Sequence, residues 1–102
     1  MNTDQNEIAM QIPGPVSDPQ VNTVAAASNP ISLDPGRKYV IVAEYDFYFR
    51  ITNSAADVVA PATNGMLWPG MTPLYLATYD DRQYLHVIQR ETGGNITSLE
   101  VD

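Results

Sequence analysis

The chain carries few side chains of the kinds that catalyse reactions or bind metal ions. His86 is its only histidine and cysteine is absent, so the nitrogen and sulfur ligands of a zinc site are lacking. His86 alternates with Leu85 and Val87 in a run typical of a β-strand. We therefore predict that it is a surface or interface residue of a strand, and not a base or a ligand.

The acidic residues and serines do not form a recognisable site either. Asp80-Asp81 is the only adjacent acidic pair; paired carboxylates can bind calcium or divide acid and base roles. The pair lies beside Arg82 without the regular spacing of a calcium loop, which favours a solvated turn. No serine lies in a Gly-x-Ser-x-Gly elbow, and no glycine loop that binds phosphate is present. We expect no enzymatic activity, no metal and no cofactor.

Aromatic residues with polar tips are numerous for a chain of this length, and they allow two interpretations. Stacked together they would make a sugar-binding platform, whereas protein interfaces and cores favour the same side chains. We favour the interface or core interpretation. The residues concerned are Tyr45, Tyr48, Trp68, Tyr75, Tyr79 and Tyr84.

Length and charge limit the classes of partner. The 102 residues fit one domain. The formal net charge of −7 argues against a nucleic-acid backbone or an anionic membrane surface as partner. No apolar run approaches the roughly 18 residues that a membrane span needs, and the polar, acidic first ten residues are unlike a secretory signal.

The segment 37–52, RKYVIVAEYDFYFRIT, is the densest β-branched and aromatic run in the chain. It predicts two strands separated by Glu44-Tyr45-Asp46, with one long bent strand as the alternative. In the first strand Val40 and Val42 make the second face apolar too. Such a strand is either central and covered, or its outer face meets another subunit.

Turn signals recur every 8–12 residues and no helical period is sustained, which predicts an all-β fold. We expect a single β-sandwich or jelly-roll-like barrel of about seven or eight short antiparallel strands. Asp34-Pro35-Gly36 predicts a type II turn, Asn64-Gly65 a hairpin, and Thr92-Gly93-Gly94 the loop of a final hairpin. The predicted core consists of Tyr39, Ile41, Phe47, Phe49, Ile51, Leu74, Leu76, Leu85 and Val87.

Residues 1–20 form the other predicted unit, an extended or disordered N-terminal arm before a sandwich domain at 21–102. Three prolines and a glycine within the arm exclude a regular period. The arm is either a solvated tail or a segment that becomes ordered on a neighbouring molecule. Its apolar residues, which we predict to contact that neighbour, are Ile8, Met10, Ile12 and Val16.

From Pro30 onward the order of segments resembles a known class of small β-sandwich proteins. A turn leads into the strand 36–43, the aromatic strand 46–51 follows, and Leu67-Trp68-Pro69-Gly70 makes a later turn. Two strands, 84–90 and 95–101, close the chain. This layout resembles the head decoration or cement proteins, also called minor capsid proteins, of tailed bacteriophages.

The resemblance implies a virion structural protein on the capsid surface that binds and stabilises the phage head shell. The major capsid protein would be its partner, and a homo-oligomer, with a trimer favoured, its assembly. Candidate interface residues are Val40, Val42, Tyr48, Trp68, Tyr75 and Tyr84. The alternative is a tail- or fibre-associated sandwich that binds a glycan or a host receptor, and the sequence leaves both head and tail placement open.

Overall fold

A computed structural model of the chain describes residues 18–101, which form eight β-strands and no helix. The predicted all-β class is confirmed. The predicted arm lies largely outside the described residues, and the first strand begins at Gln20, the last residue assigned to it. The strands are β1 (Gln20–Thr23), β2 (Asn29–Leu33), β3 (Lys38–Ala43), β4 (Phe47–Thr52), β5 (Met66–Trp68), β6 (Leu74–Ala77), β7 (Gln83–Gln89) and β8 (Asn95–Val101).

The strands form two four-stranded antiparallel sheets with the order of a jelly roll. Sheet A has the order β1-β8-β3-β6, and sheet B has the order β2-β7-β4-β5. The chain forms one long hairpin whose tip is the connection between β4 and β5. From the tip outward, β4 pairs with β5, β3 with β6, β2 with β7 and β1 with β8. The β3–β8 and β4–β7 pairings close this hairpin into a double sheet.

The segment 37–52 does contain two strands, and the alternative of one long bent strand is wrong. β3 belongs to sheet A and β4 to sheet B. Side chains fix the corner between them. Glu44 Oε1 accepts a hydrogen bond from Asn95 N at 2.7 Å, and Asp46 Oδ1 accepts one from Gly70 N at 2.8 Å.

The predicted final hairpin is wrong, and Asn64-Gly65 lies in the connection of the β4–β5 hairpin without forming its two-residue turn. β7 pairs with β2 and β4, and β8 pairs with β1 and β3, so Thr92-Gly93-Gly94 connects the two sheets. Asn64-Gly65 lies inside the β4–β5 loop (residues 53–65), where Asn64 N donates to Ala60 O and Asn64 Oδ1 accepts from Ala60 N. Turn-forming residues show where the chain bends. They do not show whether the next strand pairs with the previous one or crosses to the other sheet, because the same residue types occur in both connections.

The inner faces of the two sheets make one apolar core, and two predicted members differ. Ile51 is 37% exposed, because β5 ends opposite Phe49 and leaves Ile51 with no neighbour on that side. Leu76 is only partly buried against the core. The core also contains residues that the strand pattern did not single out, namely Val24, Ile31, Leu33, Ala43 and Ile96.

Gly93, in the connection between the two sheets, lies so close to the backbone of Val24 that a methyl group on its Cα would not fit. A Cβ at Gly93 would overlap the carbonyl oxygen of Val24, next to the Val24 N to Gly94 O hydrogen bond of 2.8 Å. We expect Gly93→Ala to lower the free energy of unfolding by at least about 2 kcal/mol. The measurement is urea denaturation followed by fluorescence.

Gly36→Ala is the matched control. Gly36 has φ of 64° and open space around its missing side chain, as expected for the predicted turn, so alanine there meets only backbone strain of about 1 kcal/mol. Equal losses of stability in the two variants would contradict the close packing described at Gly93.

Candidate interaction surface

The outer face of sheet B is covered by the β4–β5 loop. Val59 is 3% exposed, and its N–H donates to Ser28 Oγ at 2.9 Å. Arg50, on the outer face of β4, donates from its guanidinium to the carbonyl oxygen of Val58 at 2.9 Å. The loop is therefore attached both to the segment that precedes β2 and to β4.

His86 lies beneath this loop and is fully buried, so its prediction as a surface or interface residue is wrong. Its Nε2 lies 2.8 Å from Thr52 Oγ1, while its Nδ1 has no hydrogen-bond partner in the part of the chain described. Burial lowers the pKa of His86; the Asp57 carboxylate opposes this shift and Arg50 adds to it. Strand alternation placed His86 on the correct face, but it could not show that a loop covers that face.

Within residues 18–101 no loop covers the outer face of sheet A as the β4–β5 loop covers sheet B, although Val101, at an outward position at one end, is only 6% exposed. Cross-strand pairing arranges its side chains in two rows, Tyr75–Val40–Leu99 and Val42–Thr97–Val21. Val21 is 58% exposed and Tyr75 is 63% exposed. An uncovered row of apolar side chains across adjacent strands is typical of an interaction surface.

The strands of this face carry no acidic side chain at their outward positions. No aspartate or glutamate occupies an outward position of β1, β8, β3 or β6; the one charged residue there is Lys38. A shallow depression of about 330 Å³ lies at one end, lined by Val21, Val42, Thr97 and Met71 among others, and also by Glu44 from the corner between β3 and β4. We call the outer face formed by these two rows the sheet A face.

The structure brings together three of the six predicted interface residues. Val40, Val42 and Tyr75 lie on the sheet A face, while Tyr48 and Tyr84 lie on the outer face of sheet B. Their roles as contacts stay predictions. Sequence reasoning missed the contribution of β8, although Thr97 and Leu99 alternate with buried residues in a pattern that marks them as outward-facing.

Trp68, the remaining predicted interface residue, packs against the core. Its ring meets Phe49 edge-on at a centroid distance of 6.3 Å, and its Nε1 donates to Thr72 O at 2.9 Å. The most exposed tyrosines, Tyr75 and Tyr79, do not join it: Tyr79 lies at the end of the sandwich where Gly36 donates to its carbonyl oxygen. The structure does not gather the aromatic residues into one stacking platform.

The described residues contain no group of three or more His, Cys, Asp or Glu side chains placed to hold a metal ion. Asp80 and Asp81 are exposed in the β6–β7 connection, as expected for a solvated turn, and Arg82 pairs instead with Asp34 at 3.1 Å. Within residues 18–101, no helix has the length and apolar character to span a bilayer. The predicted arm residues Ile8, Met10, Ile12 and Val16 lie outside the described residues.

No protein-family model, curated protein or solved structure matches this chain. A function for the chain is therefore inferred from its surface geometry together with the resemblance in segment order.

The buried histidine predicts how stability changes with pH. Because the fold lowers the pKa of His86, the unfolded chain takes up the proton first as the pH falls. The contribution to stability is complete above the ordinary pKa of 6.5 and declines as the pH falls through that value. We expect urea denaturation to show a lower free energy of unfolding at about pH 5.5 than at about pH 7.5, a window above the ordinary carboxyl pKa values.

The His86→Gln variant is the comparison, since His86 is the only histidine. We expect it to be less stable at neutral pH but to show a flatter pH dependence across the same window. A slope identical to that of the wild-type protein would show that His86 is not the group responsible.

Proposed function

We propose that this chain is a non-enzymatic virion structural protein, a decoration or cement protein that binds and stabilises a phage head shell. The observation that supports the proposal best is the difference between the two outer faces of the sandwich. The β4–β5 loop covers one of them, and the other presents Val21, Val42 and Tyr75 without an acidic neighbour on its strands. The resemblance in segment order supplies the phage setting.

The chemistry of the sheet A face suits attachment to a protein surface. Valine and tyrosine side chains offer apolar area whose removal from water stabilises a contact by roughly 25 cal/mol per Å². Tyr75 adds a hydroxyl at the tip of a large side chain, a combination that interfaces favour. Jelly rolls occur among viral capsid domains, but they also serve lectins and enzymes, so the fold alone does not decide the function.

Charge distribution supports one orientation of the bound chain. The whole chain carries a formal net charge of −7, whereas the outward positions on the strands of sheet A hold one lysine and no carboxylate, and Glu44 lines the depression at one end. Docking through this face would cover a single acidic group, Glu44, which already accepts a hydrogen bond from Asn95 N; burial of acidic groups is costly when they lack partners. The rest of the surface, which carries most of the acidic residues, stays in contact with water, where its negative charge favours solubility.

Homo-oligomer formation is part of the proposal. β6 pairs with β3 on one side only, so its other edge retains backbone N–H and C=O groups that can pair with another strand. Tyr75 projects from this same strand. The preference for a trimer comes from the resemblance.

A pair of tyrosine variants tests the attachment surface. Tyr75 on the sheet A face is 63% exposed, and Tyr79, in the β6–β7 connection, is 76% exposed. Tyr75→Lys places a charge in the proposed contact, and we expect binding to head shells stripped of the chain to weaken at least tenfold in a sedimentation assay.

Tyr79→Lys makes the same change in charge and volume away from the proposed contact, so it should bind as the wild-type protein does. Equal binding by both variants would exclude the sheet A face as the attachment surface. Loss of binding in both would point to charge as the cause and would contradict the surface assignment as well.

Deletion of residues 1–17 tests the arm, and it leaves β1 intact because that strand begins at Gln20. We expect the shortened chain to show an unchanged melting temperature and weaker binding to stripped shells. Unchanged binding would remove the arm from the proposal without affecting the assignment of the sheet A face.

A further inference from the structure

A polar cavity of about 260 Å³ opens between β1 and β2, the edge strands of the two sheets. Its lining includes three carboxylates, those of Asp18, Asp34 and Glu100. The cavity exceeds by several times the roughly 30 Å³ that one water molecule occupies in the liquid. It is separate from the sheet A face, because its lining residues on β8 and β3 point between the sheets.

The cavity forms where the inner face of sheet A changes from apolar to polar. Along β8 the inward positions run from Ile96 through Ser98 to Glu100. Gln20 of β1 pairs with Ser98, and Tyr39 of β3 pairs with Glu100. The core therefore ends at Ser98, and hydrogen-bonding groups line the space beyond it.

Ser98 gives the clearest indication of a ligand. It is 3% exposed, and its hydroxyl has no hydrogen-bond partner among the described residues. A buried hydroxyl without a partner destabilises the fold, because it has lost its hydrogen bonds to water. The Tyr39 hydroxyl accepts a hydrogen bond from Asp34 N at 2.8 Å, which leaves its own O–H free to donate into the cavity.

The electrostatics of the cavity favour a cation. Burial, with the Asp34 and Glu100 carboxylates adding to it, raises the pKa of Tyr39, while its hydrogen bond from Asp34 N and the Arg37 charge oppose the rise. Arg37 lies 3.4 Å from Glu100, and Arg82 lies 3.1 Å from Asp34. Neither arginine lines the cavity, although Arg82 also donates a hydrogen bond at 2.8 Å to Ser32 Oγ, which does. Two of the three lining carboxylates are therefore paired with arginines outside the cavity, and Asp18 has no ion pair among the described residues.

We propose that this cavity binds a guanidinium or alkylammonium group. The carboxylates of Asp18, Asp34 and Glu100 supply the negative charge, and Ser98 Oγ accepts a hydrogen bond from the bound N–H group. A single metal ion does not fit, because these carboxylates do not converge as a metal-binding group, whereas a planar guanidinium reaches several acceptors at once. The proposal stands apart from the head-shell function.

The test uses capped amino acids as probes, with the full chain observed by backbone amide NMR. We expect Nα-acetyl-arginine amide to shift the amides of Gln20, Tyr39 and Ser98 in a saturable way, with a Kd of about 1 mM. The citrulline analogue has nearly the same shape but no charge, and we expect no saturable shift from it. Absence of saturation with the arginine probe, or equal shifts from both probes, would overturn the proposal.

Variants of the chain locate the site. Glu100→Gln should weaken the arginine probe at least tenfold, while Asp80→Asn makes the same charge change in an exposed loop and should leave binding unchanged. Ser98→Ala should raise the urea midpoint, because it removes an unpaired buried hydroxyl, and weaken the probe several-fold. Equal binding by Glu100→Gln and Asp80→Asn, or unchanged binding by Ser98→Ala, would contradict the assigned contacts.

A further comparison distinguishes two sources of the bound group. If the group belongs to a partner protein, a peptide with arginine between glycines should bind at least tenfold more tightly than the capped amino acid. If the ligand is a small molecule, agmatine should bind as well as the peptide or better. Both outcomes support a cation site, and failure of both probes overturns it.

Discussion

The packing of sheet A on sheet B is the interaction on which the rest of the structure depends. Ile41 and Ile96 from one sheet and Phe47 and Leu85 from the other are fully excluded from water, and side chains of this kind contribute roughly 1.5–3 kcal/mol each when buried. This contact and the β3–β8 and β4–β7 pairings together hold the long hairpin in its rolled form, because most strands that are consecutive in the chain do not pair with each other. The pairing of β1 with β8 joins the two ends of the described chain, and such distant contacts form slowly during folding.

Because the inner faces of both sheets pack in the core, only the outer faces and the edges of the sandwich are available to contact other molecules. The β4–β5 loop, at the tip of the rolled hairpin, folds over sheet B and buries His86. Sheet A keeps an outer face with exposed Val21 and Tyr75, and the edges on the β1 and β2 side enclose the acidic cavity. These surfaces suit recognition and attachment, and they lie on different sides of one rigid sandwich.

The sequence predicted the fold class, the two strands of segment 37–52 and most of the core, because alternation and turn residues are local signals. It did not predict which strands pair. Thr92-Gly93-Gly94 bends the chain in the same way whether β8 returns to β7 or crosses to the other sheet. The candidate interface residues show the same division. The outward positions of Val40 and Val42 followed from a strand apolar on both faces, whereas the covering of His86 and the packing of Trp68 depend on loops that no periodicity describes.

Quantitative mass spectrometry of virus particles purified from the source of this sequence tests the central claim most directly. A decoration or cement protein that coats a head shell should be present in many copies and in a simple fixed ratio to the major capsid protein. A few copies per particle would contradict the coating role and indicate a vertex or the tail. Absence from the particles would contradict the virion function altogether.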